Sequence, residues 1–171
     1  MHNWKWKIFG YKLTTGWLGL LDGLADGDFD GYGDNPSGTT PDACTTVVGN
    51  STLDRYGCID SDGDGYSDDE LTWTVSQGAD ACKTVSGTSS ADRNGCPDTD
   101  GDTYSDADSG WTIASGADAY PNDITQWIDT DGDGYGDNPP PATEGDSCPT
   151  SAGTSTIDRF GCLDNDGDGY S

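Results

Sequence analysis

The chain has 171 residues, only 31% of them hydrophobic, and a formal net charge of −25. Globular domains typically hold roughly 45–50% apolar residues with glycine counted, so the composition argues against one large hydrophobic core. The charge argues equally against a nucleic-acid partner, whose phosphates call for lysine and arginine.

On composition alone an acidic polyelectrolyte would stay disordered, but here the acidity is patterned. Thirty aspartates stand against only Glu70 and Glu144. A solvating tail has little reason to avoid glutamate, whereas a tight ligating loop wants the shorter side chain.

Residues 1–25 differ from the rest and read as a separate N-terminal segment. Trp4-Lys5-Trp6-Lys7-Ile8 alternates apolar and basic side chains, which places Trp4, Trp6 and Ile8 on one face of a strand. The apolar run from Leu13 to Leu24 is broken by Thr14, Thr15, three glycines and Asp22, too short and interrupted for a membrane span. A secretory signal is the competing reading. Tyr11, Lys12, Thr14 and Thr15 make its apolar middle poor, so a retained, Trp-rich joint is the expectation.

From residue 26 the chain becomes a tandem array. Asp26, Asp28, Asp30 and Asp34 occupy positions 1, 3, 5 and 9 of a nine-residue loop with Gly31 at position 6 and Tyr32 at position 7. This is the pattern of an oxygen-ligand loop for a hard divalent cation, in which glycine permits the sharp turn that points alternate side chains inward. The pattern recurs at 60–68 (Asp60, Asp62, Asp64, Tyr66, Asp68) and at 129–137 (Asp129, Asp131, Asp133, Tyr135, Asp137). At 98–106 (Asp98, Asp100, Asp102, Tyr104, Asp106), Thr103 replaces the turn glycine, so a positive φ there would be strained and the third site is expected to be the weakest or altered. The fifth copy, 164–171 (Asp164, Asp166, Asp168, Tyr170), stops before its ninth position. The aspartates would supply side-chain oxygens and the tyrosines a backbone carbonyl, for about five or more Ca²⁺ ions in all.

Between loops lies a second repeated element. Asp42-Ala43-Cys44 leads through Gly49 to Asp54-Arg55-Tyr56-Gly57-Cys58; the element recurs from Asp80 and Cys82 to Cys96 and from Asp146 and Cys148 to Cys162. Six cysteines allow 15 pairings, but one spacing repeated three times makes Cys44–Cys58, Cys82–Cys96 and Cys148–Cys162 the economical choice. Zinc fits poorly, because no CxxC is present and His2 is the one histidine. Disulfides imply an oxidising compartment, extracellular or at the cell surface. Asp42, Asp80, Asp118 and Asp146 are additional candidate ligands. So are Asp54, Asp92 and Asp158, for which a local ion pair or turn cap is an equal alternative.

The element between the third and fourth loops lacks cysteine, and its Tyr120, Ile124 and Trp127 are expected to form an apolar plug instead. Trp73 and Trp111 head two related segments, expected as short strands or turns carrying Trp into small apolar clusters. Asn50-Ser51-Thr52 is a glycosylation sequon in what reads as an exposed loop. Loop starts fall 31 to 38 residues apart, and the run from Tyr32 to Tyr66 resembles that from Tyr135 to Tyr170, about 103 residues on. The sequence therefore stops in mid-period, so either the polypeptide is longer or something else completes the last cation site. Fixed periods of this kind point to an array rather than a globule.

The loops resemble EF-hands over nine positions, but Leu71 and Pro140 stand where a position-12 glutamate belongs. They are more similar to thrombospondin type 3 repeats, which share the serial Asp-x-Asp-x-Asp-Gly-x-x-Asp loops and the aspartate before cysteine. That resemblance covers 26–171, although the segments between loop and cysteine are longer here. It implies mostly irregular, calcium- and disulfide-stabilised tandem repeats with little helix and a few short β-strands, an elongated rod rather than a globule. Nothing in the sequence assembles a catalytic centre: one histidine, no phosphate-cradling loop, and no apolar pocket to raise a carboxyl pKa. The expected role is an extracellular structural protein, a rod or filament subunit that binds copies of itself. A calcium-dependent adhesin, binding other matrix or surface components, is the alternative.

Overall fold

The structure, a computed structural model, describes residues 25–171. The strand-like joint expected at Trp4–Ile8 lies outside the described residues. Among those described, regular structure is confined to two 3₁₀ turns, Val75–Gln77 and Ile113–Ser115. The few short β-strands implied by the resemblance to thrombospondin type 3 repeats do not form there. Three isolated bridges stand in their place, Gly33 with Pro41, Asp68 with Asp80 and Glu70 with Trp73. The reason is local: aspartate side chains capture the backbone N–H groups that a sheet ladder would need. No helix of the described residues is long and apolar enough to cross a membrane.

Each loop is wound by its own carboxylates. In the second, the position-1 side chain Asp60 accepts from Gly63 N at 2.7 Å and from Gly65 N at 2.9 Å. Asp64 N donates to Asp62, and Tyr66 N donates to Asp64 at 2.9 Å. The position-9 amide closes the ring on the residue before the loop: Asp68 N reaches Ile59 O at 2.8 Å, as Asp34, Asp106 and Asp137 reach Ala25, Pro97 and Ile128. This winding puts two residues per loop in the left-handed region, at positions 4 and 6. Glycine fills most of them, but Phe29 (φ 70°) holds position 4 of the first loop and Thr103 (φ 82°) position 6 of the third. The strain expected at Thr103 is present; Phe29 carries a second instance, with its ring largely exposed.

Four bridges chain the loops together, at 42–58, 80–96, 118–128 and 146–162. Each opens on position 8 of the loop before it: Asp42, Asp80, Asp118 and Asp146 donate their amides to the carbonyls of Gly33, Ser67, Ser105 and Gly136. Three bridges also grip the loop that follows, through paired amides (Thr52 and Leu53, Ser90 and Ala91, Thr156 and Ile157) on the carbonyls of Gly65, Thr103 and Gly169. Within those three, the expected disulfides Cys44–Cys58, Cys82–Cys96 and Cys148–Cys162 form, leaving no free cysteine and hence no thiolate for zinc. Buried apolar residues are few: Cys58, Cys96, Cys162, Ala79 and Ala117. Buried polar groups outnumber them, among them Ser51, Ser89 and Ser155, whose hydroxyls bond the backbone inside the bridges.

The third bridge departs from the plug expected of it. Trp127 does pack, stacking on Tyr104 of the third loop with ring centroids 5.1 Å apart. Ile124, however, is exposed. The large side chain buried here is Gln126, which donates to the carbonyls of Asn138 and Thr143 and accepts from Asn138 N at 3.0 Å. A polar staple to the segment after the fourth loop thus occupies part of the place given elsewhere to sulfur. Trp73 and Trp111 also sit in polar rather than apolar company. Each indole N–H donates to an aspartate, Asp54 and Asp92 respectively, and each ring lies under an arginine, Arg55 at 5.5 Å and Arg93 at 5.3 Å.

Candidate metal centres

In every loop the aspartates at positions 1, 3 and 5 bring one carboxylate oxygen each within 4.8 Å of the others. The five triplets are Asp26/Asp28/Asp30, Asp60/Asp62/Asp64, Asp98/Asp100/Asp102, Asp129/Asp131/Asp133 and Asp164/Asp166/Asp168. The position-9 aspartates stand outside these triplets. Asp68, Asp106 and Asp137 accept from both the amide and the hydroxyl of the position-2 residue (Ser61, Thr99, Thr130), and Asp34 accepts from Gly27 N. The tyrosines at position 7 enter through their amides, which donate to the position-5 aspartates.

Acidic triplets on a surface do not by themselves require an ion. The decisive observation is which buried oxygens lack a partner. At position 3, Asp28, Asp62 and Asp100 each keep one oxygen buried and unbonded, and Asp131 keeps both. The same holds for Oδ2 of Asp42, Asp80, Asp118 and Asp146, the residues that open the bridges. Buried carboxylates without hydrogen-bond partners are costly unless a cation completes them.

These bridge aspartates are aimed back at the preceding loop. Oδ1 of each accepts the amide two residues on, at 2.6–2.7 Å from Cys44, Cys82, Tyr120 and Cys148. Asp42 and Asp30 crowd the same glycine, Gly57, with carboxylate oxygens 2.5 and 2.9 Å from where its Cβ would stand; Asp80 and Asp64 do so at Gly95. Burial above all, and next the charges of Asp64, Asp62 and Asp68, push Asp80 up to about 7 against the opposing bond from Cys82 N. Burial and the charges of Asp102, Asp100 and Asp106 likewise raise Asp118 to about 6. Asp42 and Asp146 move in the same direction for the same causes. A set of carboxylates that must take up protons to relieve one another is a set that a divalent cation would relieve better.

Asp54 and Asp92 behave differently. The carboxylate of Asp54 accepts from Ser67 N at 2.9 Å, Ser67 Oγ at 2.6 Å and Trp73 Nε1 at 3.0 Å. Asp92 makes the same three bonds to Ser105 and Trp111, and Asp158 bonds Ser171. The structure leaves these residues outside the acidic triplets and, rather than a local ion pair, gives them a bracing role on the loop ahead. Their neighbours Arg55 and Arg93 form ion pairs with Glu70 and Asp108. Sequence reasoning had no signal for this split between bridge-opening and bracing aspartates except one: only the bracing ones are followed, thirteen residues on, by Ser67, Ser105 and Ser171 at position 8 of a loop.

Oxygen-only donor sets of carboxylates suit hard cations such as Ca²⁺, Mg²⁺ or Mn²⁺ rather than soft metals. Comparison of the sequence with protein-family models and with curated proteins finds no match. The likeness to thrombospondin type 3 repeats therefore stands on the loops themselves, whose geometry is compatible with a metal-binding repeat.

Proposed function

We propose that the chain is an extracellular structural protein, a calcium-stabilised rod or filament subunit without catalytic activity. The observation that carries the reading is the recurrence, through the first four loops, of buried carboxylate oxygens without a hydrogen-bond partner, which a cation would satisfy. Calcium is the ion favoured, because a flexible all-oxygen loop suits its larger and less exacting coordination shell. Three disulfides accord with an oxidising compartment, where free calcium matches the affinities of about 0.1–1 mM found in extracellular modules. An extended shape accords with bridges whose bonds reach only the neighbouring loops and the segments beside them. Copies of the chain are the proposed partners, with the Trp-rich residues 1–25 as the joint.

A calcium-dependent adhesin is the second reading, favoured by large apolar side chains left bare on the surface, Phe29 at 83% and Leu71 at 102% exposure. Negative-stain microscopy of the non-reduced protein in calcium, and again after excess chelator, separates the two. Filaments that fray on chelation are the expected result. Filaments indifferent to chelator would remove calcium from the proposal, and monomers in both conditions would leave the adhesin.

A further inference from the structure

The third bridge puts a tyrosine where the other three put a cysteine. Tyr120 donates its amide to Asp118 at 2.7 Å, as Cys44, Cys82 and Cys148 donate theirs to Asp42, Asp80 and Asp146. In the other bridges that cysteine side chain runs to a partner two residues ahead of the next loop, at Cys58, Cys96 or Cys162. The Tyr120 side chain runs instead into the next loop. Its hydroxyl is buried with no well-formed hydrogen bond, and Asp129, the first residue of the fourth loop, is the carboxylate within reach that bears on it most, ahead of Asp133 and Asp137.

The fourth loop is also the one whose position-3 aspartate is left barest. Elsewhere the position-5 amide donates to the position-3 carboxylate, as Asp30, Asp64, Asp102 and Asp168 do to Asp28, Asp62, Asp100 and Asp166. At Asp131 both oxygens are buried and unpartnered. From the other side comes Asp146, only 5% exposed, with Oδ2 equally bare. Bare oxygens from the loop, from the bridge behind it and from the bridge ahead thus surround one triplet.

We propose that Tyr120 belongs to the fourth cation site, its phenolic oxygen meeting the Asp129, Asp131 and Asp133 cluster in the place where the other bridges carry a disulfide. The proposal rests on the cation-binding reading above. A neutral phenol can donate to the bound carboxylate or lend its lone pair to the ion, and either role orients Asp129 while adding no charge to an overcharged site. The covalent tie inside each of the other bridges has its counterpart here in a tie from bridge to next loop that a bound ion would complete.

The test is calcium titration of the full, disulfide-intact chain, followed by calorimetry and by tyrosine difference absorbance, for the wild type, Tyr120→Phe, Asp131→Asn and the double variant. The expected result is a loss of about tenfold in affinity at one site in Tyr120→Phe, the size of one hydrogen bond to a charged group. The other sites should be unchanged and the tyrosine difference signal smaller. In the Asp131→Asn background the Tyr120 substitution should have no further effect, because both act on one site. Calcium binding with Tyr120→Phe titrating like the wild type would overturn the proposal and leave the cation reading standing. So would an equal loss in both backgrounds, or a loss spread over several sites. A wild type that takes up no calcium would overturn both.

Discussion

Asp80 and Asp54 carry the same carboxylate on the same chain, yet their oxygens meet different partners. Asp54 is saturated by a serine and an indole, whereas Asp80 is buried with one bare oxygen among three loop aspartates. The difference has a sign in pH. Between its ordinary value near 3.8 and about 7, Asp80 in the folded, cation-free chain holds a proton that the unfolded chain has released. The folded state therefore binds more protons across that window, and stability falls as pH rises through it. Asp118, Asp42 and Asp146 push the same way. Urea midpoints in chelator should drop from about pH 4.5 to about pH 7.5, the drop should shrink in Asp80→Asn, and calcium should abolish it. A midpoint that climbs with pH in chelator would contradict the electrostatic account of the site.

Loops and bridges owe their shapes to close backbone approach as much as to charge. Gly87 stands so near the end of its bridge that an added Cβ would lie 2.0 Å from the Cys96 carbonyl, and Gly49 and Gly153 repeat the contact at Cys58 and Cys162. At Gly63 an added Cβ meets nothing within 4 Å, but φ is +83°. The two kinds of constraint have different sizes. Gly63→Ala should cost about 1 kcal/mol, the penalty for a left-handed residue with a Cβ. Gly87→Ala should cost more than about 3 kcal/mol, because backbone rather than a flexible side chain must move. Thermal melts of both variants in calcium, disulfides intact, would show the contrast, and equal losses would refute it.

At this scale much was legible in the sequence. The acidic triplets and the pairing of all six cysteines follow from spacing that repeats, and the scarcity of helix accords with what the resemblance to thrombospondin type 3 repeats implies. The absent strands, the bracing aspartates and the buried Gln126 do not, because each depends on which amide a side chain reaches in space. Phe29 escaped notice for a related reason: position 4 shows its need for a left-handed residue only once the loop is wound.

Across the whole array, three bridges are held by sulfur and one by Gln126, Tyr120 and the stack of Trp127 on Tyr104. Reductant added in saturating calcium should therefore raise hydrogen exchange at 42–58, 80–96 and 146–162 while leaving 118–128 protected. Uniform loss along the chain would mean that the units melt together rather than by neighbours. The bonds that leave a bridge end on the neighbouring loops or on the segments beside them. A gene for such a chain can gain or lose whole periods by recombination, since every junction so made is one the sequence already knows how to form. Length then becomes a quantity that selection can set without redesigning any part, as a mason lengthens a wall by the course.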